Sequence, residues 1–580
     1  MNARWLTPIL LACGAGAPAA EPAAAGDIEI ATAFSTAPRL QRGSRAQGYR
    51  VTSFEIKGRW SGDIALPLRP GDLWTPEKQS AVLEAIRDAF DSEPAFAQLL
   101  DRGAAASALY IDVEEEKDEA AHTVRLIFRP LRVRLSLAKI GDNLLPIPRS
   151  ASPSRPEAVP KPLLLLNPVL GASHDRATGL AATAQIEGDL LAWPALLAGR
   201  GATPDQSASL GLRLHGMRSA ENFHAAGAAL THTQRRWGGA LRDFSAGAGY
   251  EETREPLGGA IRTDAGGRLD AGATLRLEAR ARLSGDLGFV REAEKIGSGS
   301  RTRTQLGSGR LLVELPAPAP VGGFFRAALW AEHGHADRGL GSHSRVMARA
   351  GYAREFLVAP NQSVGLELEA GGGRLRGAAP AGRRFFGGAS TAQFLYDEAT
   401  APGLRTMPSG PLLRSFGRNE ATGAAGAAGG DAFWHVNANL TLPIRALAFP
   451  LIPADEEVRG MLRNGINVSG RSFLITALKR QGLSAAEARA EADRVLGEIR
   501  PATSHIIDAA NLYSLKPLLM VDAAGLSGAA GRSTWTAAGG GLQFTIVTAK
   551  FELGWMRTLS GPRRGHNGNL LLRLVFQNLF

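Results

Sequence analysis

Arg268-Leu269-Asp270-Ala271-Gly272-Ala273-Thr274-Leu275-Arg276-Leu277-Glu278-Ala279-Arg280-Ala281-Arg282-Leu283 alternates apolar and polar residues almost without a break. Leu269, Ala271, Ala273, Leu275, Leu277, Ala279, Ala281 and Leu283 point one way. Arg268, Asp270, Arg276, Glu278, Arg280 and Arg282 point the other, with Gly272 and Thr274. Successive side chains of an extended chain leave opposite faces, so the stretch reads as β structure with one lipid-compatible face and one wet, charged face. The same split recurs in Ser207–Gly216, Ser363–Ala370, Phe433–Ile444 and Lys550–Met556. A soluble sandwich alternates too, but its polar face is outside and its strands are shorter. These reach roughly ten residues or more, as a tilted membrane strand requires. Backbone groups find no partners in lipid, so such a sheet has to close on itself. Roughly sixteen candidate strands follow Leu163, and the expected fold is an all-β transmembrane barrel of antiparallel strands preceded by a small α+β domain.

Composition agrees. The 580 residues are 21% charged and include 69 Gly and 33 Pro. Mean hydropathy is −0.08, and no apolar run is long enough for a membrane-spanning helix. Alternating strands average to neutral hydropathy, so a barrel is not excluded. The formal charge is +11, but the Arg residues are spread along alternating segments. That argues against nucleic acid as a partner.

Residues 1–25 read as an export signal, with Arg4 before the apolar Trp5–Ala12 and small residues at Ala17-Pro18-Ala19 or Ala23-Ala24-Ala25. Cys13, the single cysteine, falls inside it, and Leu10-Leu11-Ala12-Cys13 is also similar to a lipoprotein processing site. Residues 26–48 read as a linker. From 49 to 135 the order is β-α-α-β-β. A strand Tyr49–Lys57 precedes a helix capped by Thr75 and started by Pro76, with Val82, Leu83, Ile86, Ala89 and Phe90 on its apolar face. A short helix around Pro94–Leu100 follows, then strands Ala108–Glu114 and His122–Val133, joined by the acidic hairpin Glu115–Glu119. This order resembles a POTRA module, a periplasmic polypeptide-binding domain. The prolines between Pro146 and Pro162 make 136–162 a stiff linker.

Within 163–580, the stretch Arg383–Phe416 begins Arg384-Phe385-Phe386-Gly387-Gly388 and closes Leu413-Arg414-Ser415-Phe416. The chain ends in a strand with Leu570, Leu572, Leu574 and Phe576 on one face and a terminal Phe580. Leu574, Phe576 and Phe580 are similar to the carboxy-terminal signal of bacterial outer-membrane barrels, with Asn578 departing from its apolar pattern. Module, barrel and motif together resemble the BamA/TamA family of outer-membrane assembly factors, also called the bacterial surface antigen family. The resemblance implies that 383–416 is an extracellular loop, entered from a strand end at Arg384–Gly388 and folded back into the lumen. It also implies that Arg414 and Phe416 lock the loop, with Arg414 paired to an acidic residue on an inner wall strand. In Leu515–Gly525, Leu515, Leu519, Val521 and Ala523 face lipid, which turns Asp522 inward as the partner. The spacer is longer than the family's, and Ser415 replaces its glycine.

Residues 453–512 read as a helical insertion. Ser484-Ala485-Ala486-Glu487 is a capping box opening a helix over Ala485–Glu498, and Ser472–Gln481 is a second helix ended at Gly482. By the resemblance, the insertion lies on the periplasmic side, where it docks a partner, plugs the barrel mouth or packs on itself. No nucleophile elbow, H-E-x-x-H or Cys/His cluster occurs, so no enzyme, metal or cofactor is expected, and His333 and His335 read as loop residues. The expected function is assistance in inserting or translocating polypeptides at the outer membrane. The partners implied are membrane lipid, extended clients and periplasmic chaperones or accessory proteins. The alternatives are a two-partner-secretion transporter and a passive porin or structural barrel.

Overall fold

The computed structural model describes residues 46, 48–57, 64–92, 107–140, 143–152, 163–191, 193, 208–219, 223–235, 240–277, 281–316, 323–337, 340–359, 361–389, 410–453, 455–465, 471–480, 483–508, 511–546, 549–563 and 568–577. The export signal, nearly all of the 26–48 linker, the short helix around Pro94–Leu100, Gly482 and Phe580 lie outside these residues. The chain divides into two compact units.

The smaller unit is a mixed sheet covered by one described helix. Strand β1 (Arg50–Ile56) runs parallel to β3 (Thr123–Ile140), and β2 (Ser107–Asp118) pairs antiparallel with β3 from the other side. Helix α1 (Pro76–Ser92) starts where Thr75 Oγ1 accepts the Lys78 amide at 3.3 Å. Its apolar spacing buries Val82, Leu83 and Ile86; Val124, Leu126 and Phe128 of β3 are buried too, and Trp74 stands edge-on to Phe128. The acidic residues Glu115, Glu116 and Asp118 do not form a turn; they continue β2, and the chain reverses over residues 119–122. Part of the expected linker is also ordered differently. Asn143–Ser152 forms β4, paired with β3.

The larger unit is a closed antiparallel barrel. Its strands are β5 (Leu163–Asp175), β6 (Gly179–Leu191), β7 (Ala208–Ser219), β8 (His224–Arg235), β9 (Leu241–Leu257), β10 (Ala260–Arg276), β11 (Arg282–Ile296), β12 (Thr302–Pro316), β13 (Phe324–Ala336), β14 (Gly341–Ala359), β15 (Gln362–Gly377), β16 (Ala432–Thr441), β18 (Asn511–Gly528), β19 (Gly531–Ile546), β20 (Ala549–Ser560) and β21 (Asn569–Gln577). The short β17 (Ala448–Pro450) continues the β16 position alongside β18. Strand β21 closes on β5, from Leu572 opposite His174 to Gln577 opposite Val169.

Alternation places the side chains as the period demands. Leu269, Leu287, Val436, Leu519 and Val521 are exposed on the outer wall, while Asp264, Glu292, Asn437 and Asp522 are buried inward. An outer wall this apolar is stable against lipid rather than water. One correction concerns Arg268–Leu283. It is two strands, because β10 ends at Arg276, Leu277 N donates to Ala281 O, and Arg282 returns opposite Arg276. The reversal keeps Arg276 and Arg282 on the same face, so the alternation runs through it unbroken. His333 and His335 likewise belong to β13 rather than a loop, each beside a serine of β14.

Between β17 and β18 stand α2 (Glu456–Gly465), α3 (Arg471–Arg480) and α4 (Ala485–Asp508). The Ser484 hydroxyl accepts the Glu487 amide at 3.3 Å and the Glu487 carboxylate accepts the Ser484 amide at 3.0 Å. These bonds hold the exposed Glu487 carboxyl below the usual carboxylate range. Helix α4 runs past Glu498 to Asp508, longer than its capping box alone suggested, and Leu474, Ile475 and Leu478 of α3 pack on its Ala488, Ala492 and Val495. These helices lie at the proximal end, where β5 begins; the β15–β16 connection lies at the distal end.

Candidate functional site: the loop held inside the barrel

The β15–β16 connection turns into the distal lumen. Strand β15 stops at Gly377, so Arg384–Gly388 is not a strand end as expected but an extended rail inside the loop. Phe385 exchanges both backbone hydrogen bonds with Gly430, and Gly387 does so with Ala421. The Leu413 amide donates to Gly388 O at 3.0 Å, and the Ala389 amide to Phe416 O at 3.0 Å. The two motif elements therefore lie side by side whatever the length of the spacer, 390–409, which is outside the described residues. Loop closure adds only logarithmically to the entropy cost, so a longer spacer is tolerated. Gly388 is required here, since a Cβ there would strike Gly417 O.

Phe385 and Phe386 are both buried, each worth about 1.5–3 kcal/mol of transfer free energy. Phe385 meets Phe433 edge to face at 4.7 Å and joins Leu413, Phe416, Met520 and Trp535 in an apolar core that fills this part of the lumen. Arg384 instead reaches Asp431, with Nη1 to Oδ1 at 2.6 Å.

Arg414 and Asp522 are brought together at the floor of the loop. Asp522, 0% exposed, accepts the Arg414 amide at 2.7 Å, Nε at 2.9 Å and Nη2 at 2.5 Å. A fourth donor, Asn437 Nδ2, lies directly across the β16–β18 pair at 2.7 Å. Arg414 Nη1 also donates to Asn439 Oδ1 at 2.5 Å. Buried ion pairs survive only when their remaining donors and acceptors are satisfied, and this carboxylate has four donors. Phe416 packs edge-on against Trp535, at 6.2 Å between ring centres. Ser415 accepts a 2.9 Å hydrogen bond from the Thr558 hydroxyl of β20, which gives the non-glycine residue a partner.

Several residues of the site escaped sequence reasoning. Asn569, the first residue of β21, donates to Arg414 O at 2.9 Å and Phe416 O at 3.0 Å, and accepts the Arg176 amide at 2.8 Å. It thus ties the loop to both strands that close the barrel. Asp175, at the end of β5, accepts the Arg418 amide at 3.1 Å. Two charged clusters surround the loop. Arg383 pairs with Glu292 and Glu332, while Arg262 bridges Glu255, Asp264 and Glu294, with Arg418 also on Glu255. The available signal was parity, since these wall carboxylates all occupy inward positions near the distal ends of their strands. In the terminal strand, Leu574 stands opposite Ala172 and Phe576 opposite Leu170. The Phe576 side chain is outside what is described. Among the described residues, no cluster of His, Cys, Asp or Glu could hold a metal ion.

No family model matches the chain, and no curated protein sequence does. Among solved structures, it is similar to CdiB from Acinetobacter baumannii, with a TM-score of 0.43 and 11% identity over 92% of this chain and 74% of that one. It is similar to BamA from Haemophilus ducreyi lacking POTRA domains 1–3, with a TM-score of 0.44 and 10% identity over 92% and 85%. CdiB from Escherichia coli gives a TM-score of 0.43 and 11% identity over 99% and 97%.

Proposed function

We propose that this protein is an outer-membrane barrel that assists the insertion or translocation of polypeptides, with its small sheet acting as a POTRA-like client-binding module in the periplasm. The observation that carries the reading is the loop held in the lumen by Arg414 on Asp522. A passive pore keeps an aqueous bore, whereas this distal lumen is packed with Phe385, Leu413, Phe416 and Trp535. Anything passing through the bore must displace the loop, and anything leaving sideways must part β21 from β5. In the small unit, β2 pairs with β3 alone among the described strands, which leaves an edge to which an extended client can add.

The test is depletion of the protein followed by quantitative proteomics of the outer membrane and the culture medium. Loss of several barrel proteins from the membrane supports the assembly reading. Loss of one secreted protein from an otherwise unchanged set would assign it to dedicated secretion. An unchanged proteome in both fractions discards the proposal.

A further inference from the structure

The stretch Arg291-Glu292-Ala293-Glu294-Lys295 lies at the distal end of β11 and carries two cations and two carboxylates. The pleat sorts them by sign. Glu292 and Glu294 are buried inward, where Arg383 and Arg262 hold them. Arg291 and Lys295 are exposed on the outer wall, on the parity of Leu287 and Phe289.

The next strand adds a third outward cation. Arg303 of β12 is exposed and stands opposite Ala293. It therefore lies diagonally between Arg291 and Lys295, about 7–8 Å from each along the sheet. Among the described residues, none of the three side chains makes an ion pair. Asp337, just past the end of β13, accepts the Arg303 backbone amide at 3.0 Å rather than its guanidinium. The carboxylates that neutralise this stretch in sequence face the lumen, on the other side of the sheet.

Toward the proximal end the same face turns apolar and hollow. Arg291 is followed by Phe289 and Leu287, both exposed. Their cross-strand neighbours on β12 are Gly307 and Gly309, and a Cβ at Gly307 would meet open space. The wall thus has a shallow trough with a backbone floor, a rail of Phe289 and Leu287, and cations at its distal end. Glycine forfeits side-chain packing in a strand interior and suits a place where a ligand comes close to the backbone.

The two features together match an anionic amphiphile. Cations at a lipid interface draw their counter-charge from headgroups, and an arginine fork grips phosphate oxygens in pairs. Three cations within reach of one another match a headgroup with more than one phosphate, and the trough matches an acyl chain. We propose that this face of β11 and β12 binds a lipid of the distal leaflet whose headgroup carries two or more phosphates. Arg291, Lys295 and Arg303 hold the phosphates, and one acyl chain lies in the trough beside Phe289 and Leu287. The inference rests on reading the barrel as membrane-spanning and is independent of what passes through it.

The purified full-length protein is first reconstituted in phosphatidylcholine vesicles and floated on a density gradient. A protein that does not float refutes the membrane reading and this inference with it. Lipid binding is then measured in mild detergent by native mass spectrometry. The probes are a bisphosphorylated glucosamine-disaccharide lipid, phosphatidylglycerol and phosphatidylcholine. The first should bind most tightly and the last most weakly. Arg291→Gln with Arg303→Gln should weaken binding of the bisphosphorylated lipid about thirtyfold, from about fivefold per cation. Gly307→Leu, which fills the trough without touching a charge, should weaken it too. Arg374→Gln with Arg376→Gln removes two exposed, outward cations of β15 and should leave it unchanged. Folding is checked by heat-modifiable electrophoretic mobility. If the Arg291 and Arg303 double variant loses the folded band, Arg303→Gln alone supplies the measurement, at about fivefold. Phosphatidylglycerol or phosphatidylcholine bound as tightly as the bisphosphorylated lipid overturns the proposal while the membrane reading stands. So does an unchanged affinity in the folded cation variant or in Gly307→Leu, or an equal loss in the β15 control.

Discussion

Replacing Asp522 by Asn keeps the volume and removes the charge at the floor of the loop. The carboxylate receives the Arg414 amide, Nε and Nη2 and the Asn437 amide group, all at 2.5–2.9 Å. A carboxamide turns one of its two acceptor positions into a donor facing donors and leaves the Arg414 guanidinium buried without its counter-ion. Breaking one partner of a fully buried pair costs about 3–5 kcal/mol. Arg414 keeps Asn439 Oδ1 as an acceptor, so the lower part of that range, about 3 kcal/mol, is the expected loss. The assay is urea unfolding of the barrel reconstituted in short-chain lipid vesicles, followed by tryptophan fluorescence, with the slope against urea held as the check on two-state behaviour. The complementary variant is Arg414→Met with Asp522→Leu. Removing both charges abolishes the stranded-ion penalty, so the double variant should be more stable than Asp522→Leu alone, and the cycle completed with the single variants Arg414→Met and Asp522→Leu should give a coupling energy of about 2 kcal/mol or more. A loss under about 0.5 kcal/mol for Asp522→Asn, the size of an ordinary surface change, would refute the claim that this pair holds the loop.

Three further outcomes follow, one beside the loop and two in the helical insertion. Asn569→Ala removes its bonds to Arg414 O, Phe416 O and the Arg176 amide; Phe416 O keeps the Ala389 amide and Arg176 is exposed, so the loss should be about 1–3 kcal/mol, the cost of one buried group left unpaired, no larger than for Asp522→Asn, and Asn569→Asp should recover only the Arg176 contact. In the insertion, Ser484→Ala should speed amide exchange in the first turn of α4 several-fold by mass spectrometry. Acidification should act in the same direction: the folded Glu487 carboxyl titrates below its unfolded value, so its contribution is complete above the unfolded value and is lost as the pH falls through the folded one.

The parity of the chain was legible throughout, because which face a side chain takes depends only on its neighbours in sequence. From it came the outward Leu519 and Val521, the inward Asp522, and the barrel itself, since lipid leaves an alternating sheet no other way to satisfy its backbone. Parity is silent wherever a reversal preserves it. Arg268–Leu283 reads as one strand and is two, because Arg276 and Arg282 return to the same face across the turn. The same locality hid the Glu115–Asp118 extension of β2 and the pairing of Asn143–Ser152 with β3.

The partners, by contrast, are remote in sequence. Asn569 reaches Arg414, Arg383 reaches Glu292 and Glu332, and Glu491 reaches Arg276, each contact arising only once the closed sheet has set strand against strand. The amino-acid order decides lipid face, lumen face and helix caps through interactions between near neighbours. Closure of the barrel decides which inward charges meet, because that depends on register around the whole wall.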